Sequence, residues 1–273
     1  SEAPLPRLRT ARPVARWSMS VYLLLALVFV LGPILTMIGR AFTDAGGSLS
    51  LENFRQLLVP GAAERNVESI LRSSVAGVIL RSMGIAAASG SLTFLVAASL
   101  ALVLRGRRTL VTDTFLQLPI GMSLVTVSLG LRFFWADVIP PVALVVVGQF
   151  FVAFPLVFRI LRTGVDELGA GPARAAETLG AGRWAVLRDI ELPLLKRPLL
   201  NGYAYALALP FADLTVVLAA GRGRIATFPV AIYRLIGFRS FDLALALAVI
   251  YIVICLLLFW LIDATSLSSR EAT

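Results

Sequence analysis

The sequence predicts an all-α membrane protein with six transmembrane helices. Apolar residues make up 58% of its 273 residues and charged residues only 15%, whereas soluble domains carry about 25% charged residues. A helix that crosses the bilayer core takes about 20 apolar residues, and the chain contains six apolar segments of about this length. Most of the charged residues lie at the ends of these segments, where a membrane protein tolerates them best.

The six predicted helices form one membrane domain over residues 18–263. The flanking residues 1–17 and 264–273 are predicted as a cytoplasmic amino-terminal segment and a cytoplasmic tail. Because the chain begins with Ser1, we expect either that a leader or tag has been removed or that it is the second half of a longer polypeptide. The predicted helices cover residues 18–39, 82–104, 112–135, 141–163, 197–220 and 243–263.

Basic residues predict the orientation in the membrane. With both termini in the cytoplasm, 15 of the 25 basic residues lie on the cytoplasmic side and ten lie outside, which is the direction of bias that membrane proteins show. Outside, residues 50–80 mix apolar and charged side chains and are predicted as amphipathic helix on the surface. Residues 221–241 carry three glycines and a proline among apolar residues and are predicted as a short re-entrant or interfacial element.

The composition excludes several kinds of chemistry. The chain has no histidine and one cysteine, Cys255, so a disulfide within the chain, a usual zinc site and a histidine general base are excluded. Cys255 lies in an apolar run and is predicted as a small core or lipid-facing residue. A net charge of +9 would indicate nucleic acid in a soluble protein, but here the basic residues account for orientation. We therefore expect no catalytic residue, no metal site and no nucleic-acid partner.

The segment 172–193 is a polar, charged hairpin between the fourth and fifth predicted helices, and contact with lipid does not account for its composition. Pro172 suits the first position of a helix, where no backbone donor is needed. Strong helix formers continue to Leu179, and Gly180 fits the left-handed residue that closes a helix. The predicted helix is about 12 Å long. A helix this short is unstable alone in water, so it needs a surface to dock against.

A second short helix is predicted after Gly182, because Trp184, Leu187 and Ile190 recur at helical spacing. Pro193 then marks the approach to the fifth predicted helix. Two interpretations of the hairpin are open. It is either an ordinary loop with surface helices, or a docking element that carries motion between a soluble partner and the membrane helices.

The hairpin resembles the EAA loop of the membrane subunits of ATP-binding-cassette importers. That pattern is Glu-Ala-Ala, three residues, Gly, nine residues, and then Ile-x-Leu-Pro. The chain supplies Ala175-Ala176, Gly180 and Ile190-Glu191-Leu192-Pro193 at this spacing. It departs from the pattern at Arg174, which stands in place of the first Glu, while Glu177 follows one turn later.

The resemblance implies a type I ABC importer (MetI-like) transmembrane domain in the bacterial inner membrane, with a cytoplasmic coupling helix in a loop at about 164–193. It implies an ATPase dimer, a second permease half (an identical chain, a paralogue or a fused half) and an external solute-binding protein as partners. The chain has no phosphate-binding loop motif, so ATP and Mg²⁺ belong to the ATPase and we expect no cofactor here. Implied contacts of the coupling helix are Arg174, Ala175, Ala176, Glu177, Leu179, Gly180, Ala181 and Arg183, and Ile190, Leu192 and Pro193 are the implied hinge to the fifth helix.

Three further segments, 192–199, 212–217 and 227–237, resemble the permeases for thiamine and for ferric iron. The resemblance implies import of a small solute, most simply a thiamine-like cation or ferric iron. Two functions from other classes were weighed against it: a secondary transporter, which needs its own ion-coupled site, and a membrane scaffold subunit without ATPase coupling. A membrane enzyme would need paired catalytic groups at membrane depth, and the sequence shows no such pair.

Asp213 is the one carboxylate expected well inside a predicted helix, and Pro210 precedes it. An ionisable side chain at that depth is costly, which favours a function. Two roles are open for it: Asp213 and Pro210 line the solute pathway, or Asp213 stabilises the structure by pairing with an arginine or by supporting a kink. Arg132 is a candidate partner, although its position also allows the side chain to extend to the surface.

Overall fold

The computed structural model describes residues 13–43, 46–59, 67–106, 110–169 and 171–267. These residues are helical apart from turns and one isolated bridge between Thr43 and Leu49. The helices are α1 Pro13–Ala41, α2 Glu52–Leu58, α3 Val67–Leu71, α4 Val75–Val103, α5 Leu110–Gln117, α6 Leu124–Trp135, α7 Pro141–Leu168, α8 Gly171–Thr178, α9 Arg183–Val186, α10 Leu192–Leu194, α11 Lys196–Ala212, α12 Thr215–Ala220, α13 Phe228–Gly237 and α14 Phe241–Leu267.

Four of the described helices are long and apolar enough to cross a membrane. Three of the ranges, Trp17–Ala41, Pro141–Leu168 and Phe241–Leu258, lie within α1, α7 and α14, and the fourth, Val67–Val103, runs through α3 and α4. The four ranges include most of the first, second, fourth and sixth predicted helices. The predicted all-α class is therefore confirmed, and the other two predicted spans differ from expectation.

The third and fifth predicted spans are not continuous helices. The third is interrupted by a 3₁₀ turn at Leu118–Gly121, where Pro119 offers no backbone donor to continue the α-helix. The fifth is interrupted at Asp213, whose backbone is extended (φ −80°, ψ 123°), directly after the turn that contains Pro210. Prediction of single helices over 112–135 and 197–220 was wrong because apolar length does not show where a helix is interrupted. The interruption falls at the 3₁₀ turn with Pro119 in one case, and in the other at Asp213, whose carboxylate caps the following helix.

The predicted external segments also change their bounds. The surface helix expected over residues 50–80 is α2 and α3, and its last residues belong instead to α4, which begins at Val75. Ser74 caps α4 by accepting a hydrogen bond from the N–H of Gly77 at 3.1 Å. The short element expected over residues 221–241 is a loop followed by the ten-residue α13.

Helices α4, α7 and α11 pack closely because small residues face one another. At Gly90 on α4, a Cβ atom would lie 2.6 Å from the carbonyl oxygen of Ala206 on α11, so only glycine allows this approach. A buried cluster fills the space between the three helices towards the carboxyl end of α4. It contains Ala97, Ala101, Phe154, Val157, Phe158, Leu161 and Ala206.

The course of α4 defines two ends of the molecule. Its 29 residues extend about 43 Å at 1.5 Å per residue. Its carboxyl end lies beside the 171–194 hairpin, where Arg105 contacts Glu191. Its amino end lies beside the loop after α12, where Arg72 contacts Gly223 at 3.5 Å. These are called the hairpin end and the Gly223 end below.

Candidate functional site

The hairpin begins with α8, and its closing turn is the one the sequence predicts. Gly180 has φ +88°, a conformation that glycine adopts without steric cost. The N–H of Gly180 donates to the carbonyl of Glu177 at 3.0 Å, and the N–H of Ala181 donates to Ala176 at 3.0 Å. This pair of bonds is a Schellman motif. The helix predicted from Pro172 to Leu179 is confirmed as α8, which begins and ends one residue earlier than expected.

Most side chains of α8 face away from the protein. Ala176 is 9% exposed and packs inward, whereas Leu179, at the closing turn, is 88% exposed. Arg174 and Glu177 are both exposed, and no ion pair joins them among the described residues. The outward surface therefore offers free charges beside an apolar side chain. The remaining predicted contact residues lie as follows: Ala175 and Arg183 are exposed and Ala181 is half-buried.

After Gly182 the chain is helical to Leu194, but a five-residue π-helical turn at Leu187–Glu191 interrupts the α-helical pattern. Pro193 has no N–H, so it cannot donate to the carbonyl four residues earlier. The N–H of Leu192 instead donates to the carbonyl of Leu187, five residues back, which is how a π turn absorbs such a defect. The π turn therefore adapts the helix to Pro193.

The predicted hinge residues Ile190, Leu192 and Pro193 lie within this helical path rather than in a loop. Ile190 is half-buried, and the other two are exposed. α10 and α11 are separated by a single residue, Leu195 (φ −84°, ψ 0°), which is buried. Trp184, expected on the apolar stripe, is 73% exposed, and Val186 is buried in its place.

Arg105 fastens the hairpin to the membrane helices, and sequence reasoning missed this role. Its guanidinium donates to the Glu191 carboxylate in the π turn and to the carbonyl of Gly169 after α7. The Arg105 and Glu191 side chains are only 19% and 13% exposed, so solvent screens the pair weakly. One side chain thereby joins the ends of α4 and α7 to the hairpin. Glu191 lies inside the matched Ile-Glu-Leu-Pro segment, which was the available signal.

A second polar network surrounds the break between α11 and α12. The carboxylate of Asp213 accepts from the N–H of Val216 at 3.2 Å and so caps α12. The Gln149 amide donates to the other Asp213 oxygen at 3.3 Å and to the carbonyl of Pro210 at 3.1 Å. The Ser89 hydroxyl lies 2.8 Å from Gln149 Oε1 and donates to it. Gln149 and Ser89 are buried, and the network joins α4, α7 and the break.

Arg132 does not pair with Asp213. Its guanidinium donates instead to the carbonyl of Ala219 at 3.3 Å, at the carboxyl end of α12. α12 consequently has a carboxylate at its amino end and a guanidinium at its carboxyl end, and both charges favour the helix dipole. Of the roles considered for Asp213, support of a break in the helix is what the contacts show.

An apolar cavity lies between α4, α11 and α14. Its volume is about 380 Å³, and neither Asp213 nor Pro210 lines it. Cys255 does line it, with a half-buried side chain, as expected for a small apolar residue. The other lining residues are Met83, Ala86, Ala87, Ala204, Tyr205, Leu207, Ala208, Leu209, Phe211, Ala212, Tyr251 and Leu258.

Comparison with known proteins identifies the family. The family described as binding-protein-dependent transport system inner membrane component matches residues 9–268. The chain belongs to this family. It is therefore a membrane permease subunit of an ATP-binding-cassette importer and not an enzyme.

Several named relatives resemble parts or all of the permease. The thiamine transport system permease protein ThiP of Escherichia coli is 34% identical over 41% of this chain, which is 21% of the ThiP sequence. The Brucella abortus ThiP is 30% identical over 59% of this chain and 30% of its own. The chain thus matches less than a third of these relatives. The putative 2-aminoethylphosphonate transport system permease protein PhnU of Salmonella typhimurium is 28% identical over 89% of both chains.

Solved structures agree on the fold. A bacterial ABC transporter involved in the import of the acidic polysaccharide alginate matches with a TM-score of 0.71 over 92% of the permease and 94% of that chain. The same kind of transporter in complex with a periplasmic protein that holds an alginate pentasaccharide matches with a TM-score of 0.70. Sequence identity is 15% in both cases, so this likeness shows the fold alone.

Proposed function

We propose that the hairpin of the permease is the coupling element that docks an ATPase subunit in the cytoplasm. The observation that carries the proposal is the exposed face of α8, where Leu179, Arg174 and Glu177 extend from a rigid turn closed by Gly180. The hairpin exposes two large apolar side chains, Leu179 and Trp184, which are 88% and 73% exposed, and several exposed apolar side chains on one element are typical of a protein-binding surface. Both termini then lie in the cytoplasm, and the broken helices α5–α6 and α11–α12 each cross the membrane once, which makes six crossings.

The hairpin is connected directly to the membrane helix α11. From Arg183 the chain runs through the π turn and Leu195 into α11 without an intervening loop. The Arg105 contact holds the same π turn against the end of α4. A displacement of α8 by the ATPase would therefore be transmitted along the chain to α11 and, through Arg105, to the ends of α4 and α7. A second permease half, whether an identical chain, a paralogue or a fused half, completes the pathway, and ATP and Mg²⁺ bind the ATPase.

The solute is proposed to be small and to carry positive charge, with a thiamine-like cation or ferric iron as the first candidates. Identity with the two ThiP proteins supports thiamine, although the matched segments are short. The Asp213 carboxylate supports a cation, because it is half-buried at a helix break and its described partners are neutral donors. In this proposal Asp213 and Pro210 border the pathway at the break.

A second candidate solute follows from the PhnU relative, which covers 89% of the chain. 2-Aminoethylphosphonate carries an ammonium group at one end and an anionic phosphonate at the other, so the same carboxylate would contact its ammonium end. Uptake of labelled thiamine, ferric iron and 2-aminoethylphosphonate by cells that express the complete importer separates the candidates. Uptake of the anionic alginate oligosaccharide alone would contradict a cationic solute.

The docking role is tested with Gly180→Asp in the importer complex in proteoliposomes. We expect the added carboxylate at the closing turn to uncouple ATP hydrolysis from uptake while the membrane helices remain inserted. Gly47→Asp is the matched control, because Gly47 also has a positive φ (+81°) and open space around it but lies outside the hairpin. Unchanged uptake by Gly180→Asp would contradict docking. Uptake by the purified permease without an ATPase would indicate a secondary transporter.

A further inference from the structure

A cavity of about 510 Å³ lies at the hairpin end, between the last turns of α7 and the first turns of α11. The two walls meet where the helices touch, because a Cβ at Gly164 would lie 2.4 Å from the side chain of Pro198. Because α7 is long and apolar enough to cross a membrane, a cavity at its last turns lies at the membrane boundary. This space is called the α7–α11 cavity. Its lining residues are Ile160, Thr163, Gly164, Glu167, Leu168, Leu194, Arg197, Pro198 and Asn201.

The two walls of the α7–α11 cavity carry opposite charges that do not pair with each other. Glu167 lies on α7 and Arg197 on α11, and both side chains are exposed. Neither forms an ion pair among the described residues. Asn201, one turn along α11 from Arg197, adds an amide that both donates and accepts hydrogen bonds. A ligand with one positive and one negative group would therefore interact favourably with both walls at once.

The same face of α11 leads from the α7–α11 cavity to the apolar cavity beside α14. Asn201 lines the first and Tyr205 the second, and residues four apart lie on one face of a helix. Tyr205 is 48% exposed, so the surface that joins the two cavities is open. Ala208 continues this face into the apolar cavity. From Arg197 to Ala208 the distance along the helix is about 16 Å, which is about half the thickness of the hydrocarbon core.

The order of the two cavities favours a lipid over a soluble molecule. A soluble zwitterion would occupy the α7–α11 cavity alone and leave the apolar cavity unused. Engineered apolar cavities of about 150 Å³ bind small apolar molecules, and the apolar cavity has a volume of about 380 Å³, so it has room for part of an acyl chain. Basic cavities between membrane helices also bind lipid headgroups. A charged group at the membrane boundary and an apolar chain in the core are the two parts of a phospholipid.

We propose that the α7–α11 cavity binds the headgroup of phosphatidylethanolamine and that one acyl chain of this lipid occupies the apolar cavity. The phosphate contacts the Arg197 guanidinium, whose planar geometry matches phosphate oxygens, and the ammonium group contacts the Glu167 carboxylate. The lipid then bridges α7 and α11, the two membrane helices that flank the hairpin. This site differs from the ATPase contact and from the solute pathway, and it lies far from the Gly223 end.

The test compares Glu167→Gln and Arg197→Gln with the wild type, each in the complete importer purified in detergent. Both side chains are exposed and have no ion pair to lose among the described residues, so the fold tolerates both changes. The double variant Arg188→Gln with Asp189→Asn is the matched control. It removes one charge of each sign from an exposed pair that does not line the cavity. Unchanged thermal unfolding verifies that every variant is folded.

The measurement is native mass spectrometry of the importer titrated with phosphatidylethanolamine or with phosphatidylglycerol of the same acyl chains, which gives a dissociation constant for each lipid. Phosphatidylglycerol carries the phosphate but no ammonium group. We expect the wild type and the control to bind phosphatidylethanolamine about fivefold more tightly, as for an exposed ion pair. Glu167→Gln should bind both lipids equally, because the partner of the ammonium group is gone. Arg197→Gln should weaken both by about fivefold, because both carry phosphate.

Three results would overturn the proposal. The first is equal binding of the two lipids by the wild type, which is expected if the second permease half covers the cavity. The second is a preference for phosphatidylethanolamine that survives Glu167→Gln. The third is competition by soluble glycerophosphoethanolamine at the same concentration as the lipid, because the site would then take a free zwitterion. Lipid binding is measured without ATP or solute, so failure of the docking role of the hairpin, which is read from uptake, leaves this test unaffected.

Discussion

Removal of the Arg105 side chain should loosen the hairpin from the membrane helices without unfolding them. Arg105→Ala eliminates the contact with Glu191 and the bond to the Gly169 carbonyl. Hydrogen bonds to charged groups contribute about 1.5–3 kcal/mol, and exposed ion pairs about 0–1 kcal/mol. The two side chains are mostly but not fully buried, so we expect a loss of about 2 kcal/mol, which raises the open population of the hairpin about 30-fold.

Hydrogen exchange of the α8 and π-turn amides in the purified importer measures this local opening. Arg188→Ala is the control, since Arg188 lies in the same π turn and its pair with Asp189 is 73% and 65% exposed. We expect the control to change the free energy of opening measured by exchange by less than about 1 kcal/mol. Uptake per ATP hydrolysed should fall for Arg105→Ala and remain unchanged for Arg188→Ala.

A double-mutant cycle decides whether the pair itself is responsible. If Arg105 acts through Glu191, then Glu191→Ala should cost about 2 kcal/mol in the wild type and much less in the Arg105→Ala background. The expected coupling energy is about 1–2 kcal/mol. Additive effects, with a coupling energy below about 0.5 kcal/mol, would refute the reasoning. In that case the effect of Arg105 would come from the Gly169 carbonyl or from packing of its aliphatic stem.

Two further substitutions test the packing and the helix break. Gly90→Ala places a Cβ 2.6 Å from the carbonyl oxygen of Ala206 and should cost about 1–3 kcal/mol in thermal unfolding. Gly84→Ala, in the same helix with open space around it, should cause no such loss. Equal thermal unfolding midpoints for the two variants would contradict the close approach of α4 and α11. Gln149→Leu removes the side-chain donor to Pro210 O and to the Asp213 carboxylate. It should lower the free energy of opening of α12, as measured by hydrogen exchange, by about 1–3 kcal/mol. Unchanged exchange there would show that the break does not depend on the amide.

Local signals made the hairpin predictable. Pro172, the helix formers up to Leu179 and a glycine at the C′ position lie within about two turns, so local sequence is enough to specify α8 and the left-handed Gly180. The four long apolar helices were also predictable, because the length of each apolar run is itself a local property of the sequence. These features need no knowledge of the rest of the fold.

The contacts that position the site were not predictable because their partners are far apart in the sequence. Arg105 and Glu191 are 86 positions apart, and Ser89 and Gln149 are 60 apart. Periodicity shows which face of a helix is apolar but not which residue of another helix will meet it. Gln149 was harder still to recognise, because one amide side chain in a long apolar run gives no sign of a specific role. In the structure its amide donates hydrogen bonds at the break between α11 and α12.

The two breaks of α11 connect the hairpin with the centre of the membrane domain. α11 is a helix of 17 residues, about 25 Å long, bounded by Leu195 at the hairpin and by Asp213 at the network of Gln149. Gly202, within α11, lies so close to Leu161 of α7 that a Cβ would come within 2.5 Å of its side chain. A segment with defined ends and close contacts along its length moves as one unit rather than bending. Displacement of the hairpin would therefore be felt first at the Asp213 network, because the helical hydrogen-bond ladder of α11 ends there and the contacts of Asp213 and Gln149 support the connection to α12.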